Sequence, residues 1–154
     1  MRELDTIGIR LSEMQANLFE RSLELGCSSE IFYRTYMSLP EVRILDENPS
    51  LGTGPDEVEI WEACAKKISM IKRPGKSKLS KGELRWIGYL LRAWSYCREV
   101  YSAKLFKENR LHDLRSLYLP YHTLDVQAAI ERIEEAKGKN REKDIRAILA
   151  KIYL

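Results

Sequence analysis

The sequence predicts an all-α fold: an irregular bundle of six to seven helices around a buried, aromatic-rich central helix, spanning residues 1–154 as one domain. Three observations predict it. Residues 84–106 (LRWIGYLLRAWSYCREVYSAKLF) carry two of the three Trp and three of the eight Tyr. At about 100° per residue they form two apolar faces, one of Leu84, Ile87, Leu91, Trp94, Tyr101 and Leu105, the other of Trp86, Leu90, Ala93, Cys97 and Val100. Only Arg85, Arg92 and Glu99 are left on a wet strip, so the helix belongs inside a ring of neighbours. The remaining apolar residues recur at three- and four-residue steps, with no run of strand alternation.

The first helix is expected over residues 5–25, on the stripe Ile7, Leu11, Met14, Leu18 and Leu25, with Gly26 as a left-handed cap. A serine of the Cys27-Ser28-Ser29 run caps a second helix to Ser38, and Pro40 stops or re-aims it. Residues 46–55 (DENPSLGTGP) read as a loop. Asp56 and Glu59 have capping-box spacing before a third helix faced by Ile60, Trp61, Cys64 and Ile68. Residues 72–81 (KRPGKSKLSK) read as a basic, flexible connector. Ser80 and Glu83 form the capping box of the central helix, along which Gly88, Ser95 and Ser102 make a row of small residues. A further helix covers residues 105–119 with a bend near Asn109. Thr123 or Asp125 caps the next, to Lys137. Gly138-Lys139-Asn140 reads as a turn before a last helix that buries Ile145, Ile148, Leu149 and Ile152.

Composition narrows the function. The 154 residues are 44% hydrophobic and 32% charged, with 26 basic and 23 acidic side chains giving +3, a balance that does not call for nucleic acid or an anionic membrane. No apolar run approaches the roughly 20 residues of a membrane span. Cys27, Cys64 and Cys97 are far apart with only two His, which argues against a zinc site. The odd cysteine count and a charged, non-leader start point to the cytoplasm. Neither a phosphate loop, a nucleophile elbow nor a di-metal motif is present, so no cofactor or metal is expected.

Four constellations remain. The corner Gly26-Cys27-Ser28-Ser29 has the form of a helix-turn-helix, which would put Ser29, Tyr33 and Arg34 in a DNA groove, although a plain helical corner explains it as well. Arg115 and His122 have the spacing of a HEPN-like ribonuclease, His as general base and Arg steadying the phosphorane. A surface Arg and a capping His are the simpler reading. Arg98 points into the apolar arc between Trp94 and Tyr101 and calls for a carboxylate or an aromatic ring. Lys72, Arg73, Lys76, Lys78 and Lys81 could touch a phosphate backbone, but no aromatic is interleaved to stack bases.

Three segments together carry a resemblance: GCSSEIFYRTYM from Gly26, WIGY from Trp86, and LRSLYLPYHTLD from Leu114 leading to AIERI at Ala129. The chain resembles an uncharacterised family of small all-helical bacterial proteins encoded near ADP-ribosyltransferase-like toxins. The resemblance covers residues 25–137. It implies a toxin–antitoxin or accessory role and carries no catalytic residues. Within it, the expected function is a protein–protein interaction module, an antitoxin or accessory partner that covers a toxin's cleft. Aromatic and Arg side chains are the usual anchors of such contacts, and the candidates are Tyr33, Tyr36, Tyr89, Arg92, Tyr96 and Tyr121.

Overall fold

Helices begin where a short polar side chain takes up an orphan amide. In the computed structural model, which describes residues 2–153, α1 (Thr6–Arg21) starts behind Asp5, whose carboxylate accepts the Gly8 N–H at 3.0 Å. A 3-10 turn (Ser22–Glu24) follows. Ser28 caps α2 (Ser29–Met37) through the Ile31 N–H, and Pro40 sits in the first turn of α3 (Pro40–Glu47). Asp56 caps α4 (Glu57–Ser69). The Ser80–Glu83 box opens α5 (Lys81–Arg98), with both reciprocal bonds made, at 3.2 and 2.9 Å. Three more helices complete the chain: α6 (Ser102–Glu108), α7 (Leu111–Tyr121) and α8 (Val126–Tyr153). The described residues contain no strand, and none of their helices is long and apolar enough to cross a membrane.

The fold is the irregular helical bundle that the pattern predicts, with eight α-helices among the described residues instead of six or seven, α5 at its centre and α1 lying along it. A Cβ at Gly88 would stand 2.8 Å from the Gln15 carbonyl oxygen and from the Phe19 ring. That close approach is what the small residue permits. Gln15 crosses the same contact, donating to the Gly88 carbonyl at 2.9 Å. Phe19, Phe32 and Tyr36 form an edge-to-face cluster beside it, with centroids 5.0–5.6 Å apart.

Several local expectations are corrected. Gly26 is not left-handed, because the 3-10 turn already closes α1 and the chain leaves Leu25 extended. Pro40 re-aims the chain by starting α3, which takes in Asp46 and Glu47 from the stretch expected to be loop. The central helix stops at Arg98, because Glu99 takes the left-handed conformation (φ 54°) and the Val100 N–H returns to the Ser95 carbonyl. Tyr101 therefore lies on an exposed corner, and Leu105 belongs to α6. The basic connector is pinned, not loose. Pro74 and Ser77 carbonyls accept from Ser28 and Ser29, the Leu79 N–H donates to Ser29 Oγ, and Lys78 reaches the Leu23 and Leu25 carbonyls. Gly75 makes this strap feasible, with φ +72° and Ser28 atoms 3.0 Å from where a Cβ would stand. Finally, residues 138–140 do not turn. Helix α8 runs through them, and Ile145, Ile148, Leu149 and Ile152 are exposed rather than buried.

Candidate protein-binding cleft

Helices α1, α5 and α7 meet along an open hollow. Trp86 and Tyr89, three apart on α5, share one side, as do Tyr118 and His122, four apart on α7. Trp86 meets Tyr118 edge-on at 5.9 Å between centroids, and His122 stacks on Tyr118 at 4.3 Å. Gly82 lets the Tyr118 hydroxyl end rest on α5, since a Cβ there would be 2.7 Å from the oxygen. Arg115 binds Glu83 at 3.0 Å and ties α7 to the first turn of α5. Two adjoining hollows of about 290 and 350 Å³ share Trp86, Tyr89 and His122. Leu4 and Ile9 edge one of them and Arg85 the other. Burial, and then the Glu13 and Asp125 carboxylates, push the Tyr89 phenol upward, so it stays a neutral hydrogen-bonding group at physiological pH.

The residues expected to make a recognition surface divide sharply. Tyr89 lines the hollow, whereas Tyr121 is half-buried against the core and lines neither part of it. Tyr33, Tyr36, Arg92 and Tyr96 have almost no exposed surface and cannot present one to a partner. The Tyr33 hydroxyl donates to the Asn109 carbonyl at 2.7 Å, and Tyr96 to Asp5 Oδ1 at 2.7 Å. Arg92, placed on the wet strip by the helical wheel, is 1% exposed and bonds Asp46 at 2.6 Å. The wheel cannot see α3, whose Asp46 reaches Arg92, while Arg85 and Glu99 on the same strip stay partly exposed.

Around Asp46 the bonding is complete. Its Oδ1 accepts from Arg92, Ser95 Oγ and Ser102 Oγ, and its Oδ2 from the Ser102 N–H. Arg92 Nε also donates to Gln15 Oε1, which takes the Tyr36 hydroxyl as well. This network joins five helices, and of its members Asp46 edges two surface hollows while the others line neither.

The other candidates have structural work. Ser29 is buried and accepts from Leu79, so with Tyr33 also inside, α2 offers only Arg34 of the three groove-reading residues, and α2 does not protrude. His122 Nδ1 lies 2.7 Å from the Tyr118 carbonyl, which accepts only, so Nδ1 carries the proton. Arg115 does not line the hollow that His122 edges, and the two do not share a cleft. Arg98 forks onto Glu134 at 2.9–3.2 Å, the carboxylate its place in the wheel called for. Cys27, Cys64 and Cys97 are buried free thiols, and burial raises all three, Cys64 to about 12.

Comparison with protein-family models, curated proteins and solved structures finds no match.

Trp86 and Tyr118 are the cleft residues that sequence reasoning missed. The signal was present as two aromatic pairs at three- and four-residue spacing, Trp86/Tyr89 and Tyr118/His122. Trp86 had been assigned wholly to an apolar face of the central helix.

Proposed function

We propose that the chain is a protein–protein interaction module, an antitoxin or accessory partner that holds a toxin-like protein through the α1–α5–α7 cleft. The observation that carries the reading is the shallow, widely open aromatic hollow of Trp86, Tyr89 and Tyr118, edged by Arg85. Rigid amphipathic rings and an Arg at the rim are the side chains that anchor protein interfaces. Arg85 is already aligned by Asn17 at 2.8 Å and Glu20 at 3.4 Å, so little ordering is left for binding. The toxin-like identity of the partner rests on the sequence resemblance alone.

The test is co-expression of the chain with the product of its adjacent gene. The pair is expected to co-purify, and Trp86→Ala with Tyr89→Ala to weaken binding about tenfold or more. Failure of the wild-type pair to associate at micromolar concentration overturns the proposal. The two rivals give different signatures. A regulator shifts a palindromic duplex and loses the shift on Arg34→Ala. A ribonuclease is toxic until His122→Ala is introduced.

A further inference from the structure

Every residue from Gly138 to Tyr153 is exposed, and the last 16 residues of α8, about 24 Å of helix, project from the bundle, with Gly138 and Arg141 still lining a hollow against α5 and α6. This arm is amphipathic. Ile145, Ile148, Leu149 and Ile152 form one stripe and are 46–65% exposed. The stripe is turned only partly off the seam that seats α8: Ile145 and Leu149 point about 60° and 100° round the helix from the buried Ile130, whereas Ile148, 18 residues on, lies in line with it. The charge is also segregated. Residues 138–153 hold five of the 26 basic and two of the 23 acidic side chains, leaving the arm at +3 and the other residues at zero.

The opposite surface exists on the same molecule. Residues 41–62, covering α3, the loop after it and the start of α4, contain seven acids and only Arg43 as a cation. Asp46 is engaged in the core, which leaves Glu41, Glu47, Asp56, Glu57, Glu59 and Glu62. Among them Ile44, Leu51 and Val58 are 44–57% exposed. Glu41 Oε2 is shielded and has no hydrogen-bond partner.

We propose that the occupant of the acidic α3–α4 face is the basic arm of a second copy of this chain, exchanged reciprocally about a two-fold axis. Arm-on-arm pairing would set +3 against +3. It would also bury only about 400 Å² per copy, half of what a stable interface uses. Reciprocal exchange gives each copy one arm and one receiving face, roughly 800 Å² per partner, and closes the assembly instead of propagating a filament. An anionic membrane is the weaker occupant. The stripe is about two turns long, holds no Trp or Phe, and carries Arg141 within its arc. The inference is independent of the cleft on α1, α5 and α7.

The test is the mass of the full chain by sedimentation at micromolar to high-micromolar concentration. Twice the 18.0 kDa of one chain is expected at low salt, falling toward one chain as salt rises. Two charge-reversed chains separate the outcomes, one with Arg146→Glu and Lys151→Glu, the other with Glu59→Lys and Glu62→Lys. Each alone is expected to dimerise about tenfold or more weakly. Mixed together they are expected to pair, because both arm–face contacts are again complementary. All four positions are exposed, so circular dichroism melts report that both chains remain folded. A wild-type chain that stays monomeric overturns the proposal, as does a mixture that fails to pair. So does a monomer that sediments with phosphatidylserine vesicles through the arm. Trp86→Ala is expected to leave the dimer unchanged, which keeps this result separate from that of the cleft.

Discussion

The junction around Asp46 and the distal half of α8 invert the ordinary arrangement of side chains. At the junction a charged pair lies inside, Arg92 and Asp46 being 1% and 3% exposed. On the arm, four aliphatic side chains lie outside. The first region is affordable because every atom of its pair is bonded within the chain. The second has no partner in its own chain. One end of the molecule is finished by folding and the other is left open.

The comparison can be broken most severely at Asp46. Asp46→Ala leaves the Arg92 guanidinium buried without its carboxylate, and denaturant melts are expected to show a loss of about 3–5 kcal/mol. Replacing both partners, Asp46→Leu with Arg92→Met, should cost far less. A double-mutant cycle that finds the two losses additive would refute the coupling. Gly88→Ala forces a Cβ against the Gln15 carbonyl and is expected to lose about 1–3 kcal/mol, although Ala is the better helix former. Ser80→Ala removes half of the α5 capping box, for about 1 kcal/mol.

Glu83, the other half, adds a pH signature. Burial pulls its carboxyl upward, but hydrogen bonds from Ser80 and Arg115 outweigh this and hold it below the ordinary 4.5. A lowered folded value means the stabilisation is present above about pH 4.5 and fades as pH falls through that lower value. Glu83→Gln should therefore flatten the acid limb of a stability profile, and an unchanged limb would contradict the assignment. The smallest effect is expected on the arm. Ile145→Gln, Ile148→Gln and Leu149→Gln should each leave the unfolding free energy of the monomer within about 0.5 kcal/mol. A large loss would mean the stripe packs on its own chain.

The fold was legible where local chemistry sets it. Ser28, Asp56 and Ser80 cap the helices expected of them, and Asn109 marks the break between α6 and α7. What stayed hidden depends on residues distant in sequence. Arg92 looked solvated because nothing in residues 84–106 foretells Asp46. Tyr33 and Tyr36 looked like anchors because their acceptors, Asn109 and Gln15, lie 76 and 21 residues away. The left-handed Glu99 was invisible because glycine is the usual signal there. On α8, a Gly-Lys-Asn sequence imitates a turn, and the amphipathic stripe after it imitates a core face. Periodicity reports that a face is apolar, and not which molecule covers it. For the cleft, Tyr89 was found, whereas Trp86 and Tyr118 required the crossing of α5 over α7.

The bond from Gln15 to the Gly88 carbonyl spans 73 residues. On the ribosome, where chains emerge N-terminus first at about 5–20 residues per second, α1 is made several seconds before the groove that receives it. Through that interval Leu11, Leu18 and Phe19 have no shelter from water or from other nascent polypeptides. Translation speed across residues 22–88 thus sets how long the newborn protein needs a chaperone's protection.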